Sequence, residues 1–324
     1  MSYLKHVVLF LLITGLFACS GCGRLDLLAP AMVGFLKSDS GSGTGADGGT
    51  PVEELGLMEP VFQRDGLDSE PSYSAANGRI VFVSDTSGSK DIWSVRIDGS
   101  DLTRLTSGGG QESSPDWSPD GTQIAFMSDS LGNQDIWIMS ASGTGVTQVT
   151  TDPGSDFMPV FSPNGLRIAF TSDRSGSLDI WSVPVTGGEA TQLTIDSADD
   201  FRPGWSPDGS RIAFVSDRAG QRKIWSVTVN TLLEEQVTIH AGEHDMPEWS
   251  PSGKYIAFTS KISGNWDIYI KTFGSIVSPV RATLNPALDT GPVWLEGDEG
   301  IICASSRGND LDIWKMEFFV PLVQ

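Results

Sequence analysis

The chain has 324 residues, with 21 Lys plus Arg against 41 Asp plus Glu, a formal net charge of −20. So acidic a surface argues against nucleic acid and anionic membrane surfaces as partners; it is compatible with basic proteins, with cations, or with solubility alone. Three cysteines in all imply no disulfide framework.

In chain order, residues 1–18 read as a signal peptide. Lys5 gives a weakly basic start, and the apolar run from Val7 to Phe17 is too short to span a bilayer as a mature helix. The ending Leu16-Phe17-Ala18-Cys19 resembles a bacterial lipoprotein signal, in which Cys19 is lipidated after cleavage; a plain secretory signal is the alternative. The lipid reading places the chain outside the cytoplasm, anchored to a membrane, periplasmic or at the cell surface. Residues 19–56 form a tether, with a Gly/Ser-rich stretch from Ser38 to Pro51 that behaves as a flexible coil.

From residue 57 onward one unit repeats, typified by Trp117 to Trp137 (WSPDGTQIAFMSDSLGNQDIW). Its first aromatic recurs at Tyr73, Trp117, Phe161, Trp205, Trp249 and Trp294, at intervals of 44, 44, 44, 44 and 45 residues. A second aromatic follows 20 residues later each time, at Trp93, Trp137, Trp181, Trp225, Tyr269 and Trp314. A proline stands two residues ahead of each first aromatic. Ser118-Pro119-Asp120-Gly121 reads as a type I turn. The apolar run Ile124-Ala125-Phe126-Met127 suits a strand buried on both faces. Asp135-Ile136-Trp137 opens a third strand, and a fourth ends in Val149-Thr150. Period and strand count predict an all-β fold, a six-bladed β-propeller over residues 57–324. Cys303 takes the place of the strand phenylalanine found in the other copies and reads as a buried small hydrophobe.

The outer strand of the sixth copy would run past Gln324, while Met58 to Phe62 sits where an outer strand belongs with no blade before it. Val61-Phe62 is therefore expected to supply the outer strand of the last blade and close the ring.

The motifs Pro-x-Trp-Ser-Pro-Asp-Gly, Ile-Ala-Phe-x-Ser-Asp-Arg-x-Gly and Asp-Ile-Trp resemble the propeller repeats of TolB, the periplasmic protein of the Tol–Pal system. The resemblance covers residues 57–324. It implies a propeller that binds proteins of the cell envelope, as TolB binds the lipoprotein Pal. TolB carries an α/β domain ahead of its propeller where only the short tether stands here, and no partner-binding motif carries over residue by residue.

Two sets of residues are candidates for function. Asp68, Glu112, Asp156, Asp200, His244 and Asp289 stand three residues before the repeat prolines, in loops expected at one mouth of the channel. Such a ring suits a hard cation such as Ca²⁺; capping of each loop is the structural alternative. No cofactor is otherwise required. Phe157, Phe201 and Trp266 are expected as exposed aromatics on the same face, with His244, forming a partner-binding surface. The segment from His240 to His244 matches His-x-x-Glu-His, but it falls in a loop where zinc-protease chemistry needs a helix. The expected function is a non-enzymatic protein-binding or scaffold module of the cell envelope. A cation-dependent carbohydrate- or peptide-binding protein or enzyme, using the channel mouth, is the alternative.

Overall fold

Each copy of the repeat folds into one antiparallel sheet, and the described residues form six sheets of four strands. The computed structural model describes residues 55–308 and 310–318. The signal peptide, Cys19 and the tether up to residue 54 lie outside the described residues. Blade 1 consists of Asp68–Ser74, Arg79–Ser84, Asp91–Arg96 and Thr103–Arg104, from the channel outward. The inner strands of blades 2 to 6 are Glu112–Trp117, Asp156–Phe161, Asp200–Trp205, His244–Trp249 and Asp289–Trp294. Each inner strand packs on the next, and the sixth packs on the first, so the ring closes.

The second strand of each blade is apolar on both faces because each face meets a different neighbour. In blade 1, Ile80 and Phe82 pack with Ile302 and Ile313 of blade 6, whereas Val81 and Val83 pack with Ile124 and Phe126 of blade 2. Phe82, Phe126, Phe170, Phe214 and Phe258 are the largest fully buried side chains, each contributing about 1.5–3 kcal/mol of burial free energy. Cys303, fully buried and free, occupies the sixth such position as expected, and burial pushes its thiol pKa well up.

The Ser-Pro-Asp-Gly turns behave as local fastenings. Gly121 has φ +68° and its N–H donates to the Ser118 carbonyl at 2.8 Å, while Asp120 accepts from the Ser118 hydroxyl and the Thr122 N–H. Blades 3 and 5 carry the variants Ser-Pro-Asn-Gly and Ser-Pro-Ser-Gly, blade 1 Ser-Ala-Ala-Asn-Gly, and in blade 6 a 3-10 turn, Glu296–Asp298, takes the place of the motif.

The inner strands each contain a proline, which cannot donate to a ladder. A β-bulge resolves the conflict. Pairing with the second strand shifts register around each proline, and the residue just before it adopts positive φ: Glu70, Ser114, Met158, Arg202, Met246 and Gly291. The bulge lets the strand start three residues ahead of the proline, where the sequence pattern suggests a loop.

The ring is closed by Gly56–Pro60, paired antiparallel with Asp312–Phe318 of blade 6 from Gly56 opposite Phe318 to Pro60 opposite Trp314. The Val61 N–H then donates to the Ile313 carbonyl at 2.9 Å, as Leu105 and Val149 donate to Ile92 and Ile136 in blades 1 and 2. Val61 thus holds the expected register, but the regular pairing lies upstream of it and is longer than the two-residue outer strands of blades 1 to 3. The closing strand serves two interfaces. Met58 packs with Ile268, Trp294 and Met316, and Val61 packs with Ile80, Phe82 and Ile302.

Candidate functional site

The six residues read as a channel-mouth ring are the first residues of the inner strands and are buried, not in open loops. Each backbone N–H is tied to the preceding blade. That of Asp200 donates to the Leu178 carbonyl at 2.7 Å, and that of Asp289 to the Trp266 carbonyl at 3.0 Å. The side chains are engaged within their own sectors. Arg64 pairs with Asp68 at 2.9 Å, Arg174 with Asp156 at 2.7 Å, Arg218 with Asp200 at 2.7 Å and Arg307 with Asp289 at 3.1 Å. Glu112 accepts from the Ser128 hydroxyl at 3.0 Å. The expectation of one converging cation ring is thereby corrected. Among the described residues, no three His, Cys, Asp or Glu side chains gather as a metal ion would need, because each carboxylate turns to a partner at its own blade interface.

These acids also meet the Asp of the Asp-Ile-Trp motif in the preceding blade. Asp91 lies near Glu112, Asp135 near Asp156, Asp267 near Asp289, and Asp312 near Asp68. Burial, aided by this like charge, raises Glu112, Asp135, Asp267 and Asp312, and burial alone carries Asp200 up to about 6. The Leu-Thr motif joins the same junction. The Thr194 hydroxyl accepts from the Ile180 N–H at 3.0 Å and lies 3.4 Å from Asp179. Thr194→Val keeps the shape and orphans a buried N–H, so it is expected to cost about 1–2 kcal/mol in urea unfolding.

One junction is rewritten. In blade 4 the motif aspartate is Lys223, and the first residue of the next inner strand is His244. The Lys223 ammonium donates to the carbonyls of His240 and Gly242, both at 2.6 Å, and the His244 Nε2 is 3.2 Å from the His240 carbonyl. Burial, with Lys223 nearby, drives His244 down to about 4, so the imidazole is neutral and stacked edge-on against Phe258.

The expected exposed aromatics are buried as well. Phe157 and Phe201 belong to the inner strands, opposite Thr171 and Val215. Trp266 is 9% exposed, beneath the Lys261 ammonium at 4.8 Å. The premise of an exposed partner-binding face made of Phe157, Phe201, His244 and Trp266 does not hold, because the bulge draws the strand start, and the two phenylalanines with it, into the sheet. The aspartates of the Ser-Asp pairs are capping groups. Asp85, Asp129, Asp173 and Asp217 each accept the N–H of the residue just ahead of the inner strand.

A different set of groups stands out at the other end of the inner strands. The position before the first aromatic is Ser72, Asp116, Val160, Gly204, Glu248 and Val293 in blades 1 to 6. Asp116 accepts from the Ser72 hydroxyl at 3.0 Å and from the Phe161 N–H at 2.8 Å, and burial raises it to about 6. Glu248, three blades away, is raised to about 8 by burial and then by Asp116. A Cβ at Gly204 would press on the Pro247 carbonyl at 3.0 Å while only touching the Glu248 carboxylate at 3.8 Å, so the limit there is set by the neighbouring backbone. Glu248 opens into a cavity of about 260 Å³ lined by Tyr73, Trp249, Val293, Trp294 and Glu296. A wider pocket of about 680 Å³ adjoins it, shares Tyr73 and Glu296, and adds Lys254, Asp298 and Lys315. The sequence signal for Glu248 is disagreement among copies at one register position.

Residues 133–230 match the Tricorn protease N-terminal beta propeller domain and residues 200–320 the TolB beta propeller domain. TolB from Acinetobacter baumannii is 25% identical, with a TM-score of 0.59 over 65% of this chain and 53% of that one, so the match spans about half the length of that relative. A putative TolB from Agrobacterium tumefaciens is 22% identical, with a TM-score of 0.62 over 80% and 93% of the two chains. An oligogalacturonate lyase from Vibrio parahaemolyticus, 13% identical, reaches 0.54 over 80% and 93%. Among curated proteins there is no match. The last two likenesses concern fold alone. With both propeller families matched along its repeats and a TolB structure superposing on its blades, the chain is a TolB-like six-bladed β-propeller.

Proposed function

We propose that the chain is a non-enzymatic binding module of the cell envelope, exported, held to a membrane through a lipid on Cys19, and recruiting a protein partner. The observation that carries the reading is an apolar surface on the outer turns of blades 4 and 5. Leu232 is 45% exposed, Leu233 68%, Ile276 89% and Val277 69%. In the corresponding turns of blades 1 to 3 (RIDGSD, SASGTG, PVTGGE) the apolar residues Ile97 and Val185 pack on the blades, and only single exposed aliphatics, Leu102 and Val146, follow the turns of blades 1 and 2. The two turns adjoin. Phe273, ahead of Ile276, lies 5.3 Å from the Arg211 guanidinium, which pairs at 2.5 Å with Glu235 beside Leu233. Exposed aliphatic side chains framed by charge are typical of protein contacts. The polar repeat residues, by contrast, are engaged within the blade junctions. The anchor and export rest on the pattern of residues 1–19.

A Leu233→Asp, Ile276→Asp chain tests the surface. It is expected to keep its Tm and to lose a partner captured from envelope extracts by about tenfold or more. Equal capture by both chains overturns the placement.

A further inference from the structure

The cavity beside blades 5, 6 and 1 has no part in that protein-contact surface. Its walls are aromatic, from Tyr73, Trp249 and Trp294, and its charged lining is of one sign, Glu248 and Glu296, with no Lys, Arg or His. We infer that it is a binding site for an organic cation, a primary ammonium or guanidinium group on a short alkyl chain. The inference goes beyond the protein-contact reading and does not depend on it.

The chemistry of the lining disfavours anions and apolar ligands. An anion would meet the Glu296 carboxylate, and above pH 8 that of Glu248 as well, with no cation in the cavity lining. A neutral apolar ligand would leave Glu248 as it stands. The Asp116 carboxylate accepts two hydrogen bonds, whereas no hydrogen bond or ion pair lowers Glu248. A cation satisfies that carboxylate directly and gains from aromatic walls. At about 260 Å³ the space lies just below the ~300–1,000 Å³ of pockets for drug-sized ligands, which suits a group the size of one side chain. Both acids also arise where the repeat is broken. Glu248 replaces Ser, Asp, Val or Gly of the other copies, and Glu296 belongs to the 3-10 turn that supplants Ser-Pro-Asp-Gly.

Binding is linked to a proton. The charged groups facing Glu248 are Asp116 across the channel and Glu296 in the cavity; Gly204 and Val293 on the flanking inner strands add none. Lys254, in the adjoining pocket, sits over the Tyr255 ring at 5.1 Å. Because Glu248 holds its proton up to about 8, a cation must displace it.

The test is calorimetric titration of the full chain with n-butylammonium and with N-acetyl-lysine N′-methylamide between pH 6 and 9, with n-butanol as the neutral control. One butylammonium is expected per chain, with affinity rising about tenfold per pH unit up to pH 8 and levelling above it. Glu248→Gln removes that pH dependence and weakens binding at pH 9 by about tenfold or more, and Glu296→Gln weakens it severalfold. Binding of the lysine derivative as well identifies a side chain as the source of the cation; binding of butylammonium alone identifies a free amine. No heat with either amine, or an affinity unchanged in a Glu248→Gln chain that melts normally, overturns the inference.

Discussion

Deleting residues 57–66 is expected to abolish cooperative folding of the propeller, or to lower its Tm by more than about 15 °C in a circular-dichroism melt. The segment is short, yet several independent losses coincide. Blade 6 would keep three strands and expose the edge of Asp312–Phe318 along its whole length. Removing Met58 and Val61 opens space in two separate interfaces, one shared with blade 5 and one with blade 1; core truncations of this kind cost about 2–5 kcal/mol each. Arg64 goes as well. It pairs with the fully buried Asp68 at 2.9 Å and lies 4.3 Å from the Trp93 ring centre. An orphaned buried charge adds about 3–5 kcal/mol. Together these losses rival the ~5–15 kcal/mol that holds a typical domain folded. Met58→Ala alone, which keeps the strand, should cost only the cavity share. A deletion that moves the melt by less than about 3 °C would show that the ring closes without its N-terminal strand.

The architecture was legible because a period of 44 residues leaves few alternatives, and because an apolar strand without alternation implies neighbours on both faces. The register of closure was legible from counting back to Val61. What could not be read was depth. Proline and a polar residue ahead of it signal a loop, so Asp68, Glu112, Asp156, Asp200, His244 and Asp289 read as loop residues and Phe157 and Phe201 as exposed rings. The positive φ at Glu70, Ser114, Met158, Arg202 and Met246 is what makes a proline-bearing strand possible, and a non-glycine residue gives no warning of it. The arginines that neutralise the acids were visible in Ser-Asp-Arg, at Arg174 and Arg218, but only folding shows that they reach back 18 residues within the blade to Asp156 and Asp200.

The exchange of Asp for Lys223 and of an acid for His244 shows how the repeat tolerates change. The two positions lie 21 residues apart in sequence and meet at one blade junction, where a like-charged acid pair is replaced by an ammonium bonded to carbonyls and a neutral imidazole. That change is compensated locally, so it marks packing. Asp116 and Glu248 differ from it, since their position faces the shared channel and, among the described residues, no neighbouring cation lowers Glu248. Disagreement among copies therefore points to function only where no local partner accounts for it.

Glu248→Gln is expected to leave stability unchanged near pH 5 and to raise it by about 2–4 kcal/mol near pH 9. The sign follows from the direction of the shift. Glu248 is raised from 4.5 to about 8 in the fold, so its contribution is fully present below pH 4.5 and is lost progressively as the pH climbs from there through 8, because the unfolded chain ionises while the buried carboxyl opposite Asp116 keeps its proton. Glutamine never ionises, and the variant keeps at high pH what the wild type loses. The figure is set below the full linkage value because water partly screens the group. Asp116 and Asp200, both raised to about 6, lose stability in the same sense over a lower window. His244, depressed to about 4, opposes them: its share is present above pH 6.5 and lost as the pH falls toward 4. All three are present in both chains, so the difference between wild type and variant in paired urea titrations reports Glu248 together with its coupling to Asp116. A difference that stays flat from pH 5 to 9 would mean that Glu248 ionises as an ordinary surface acid. In that event the affinity of the cavity for a cation would not depend on displacing a proton.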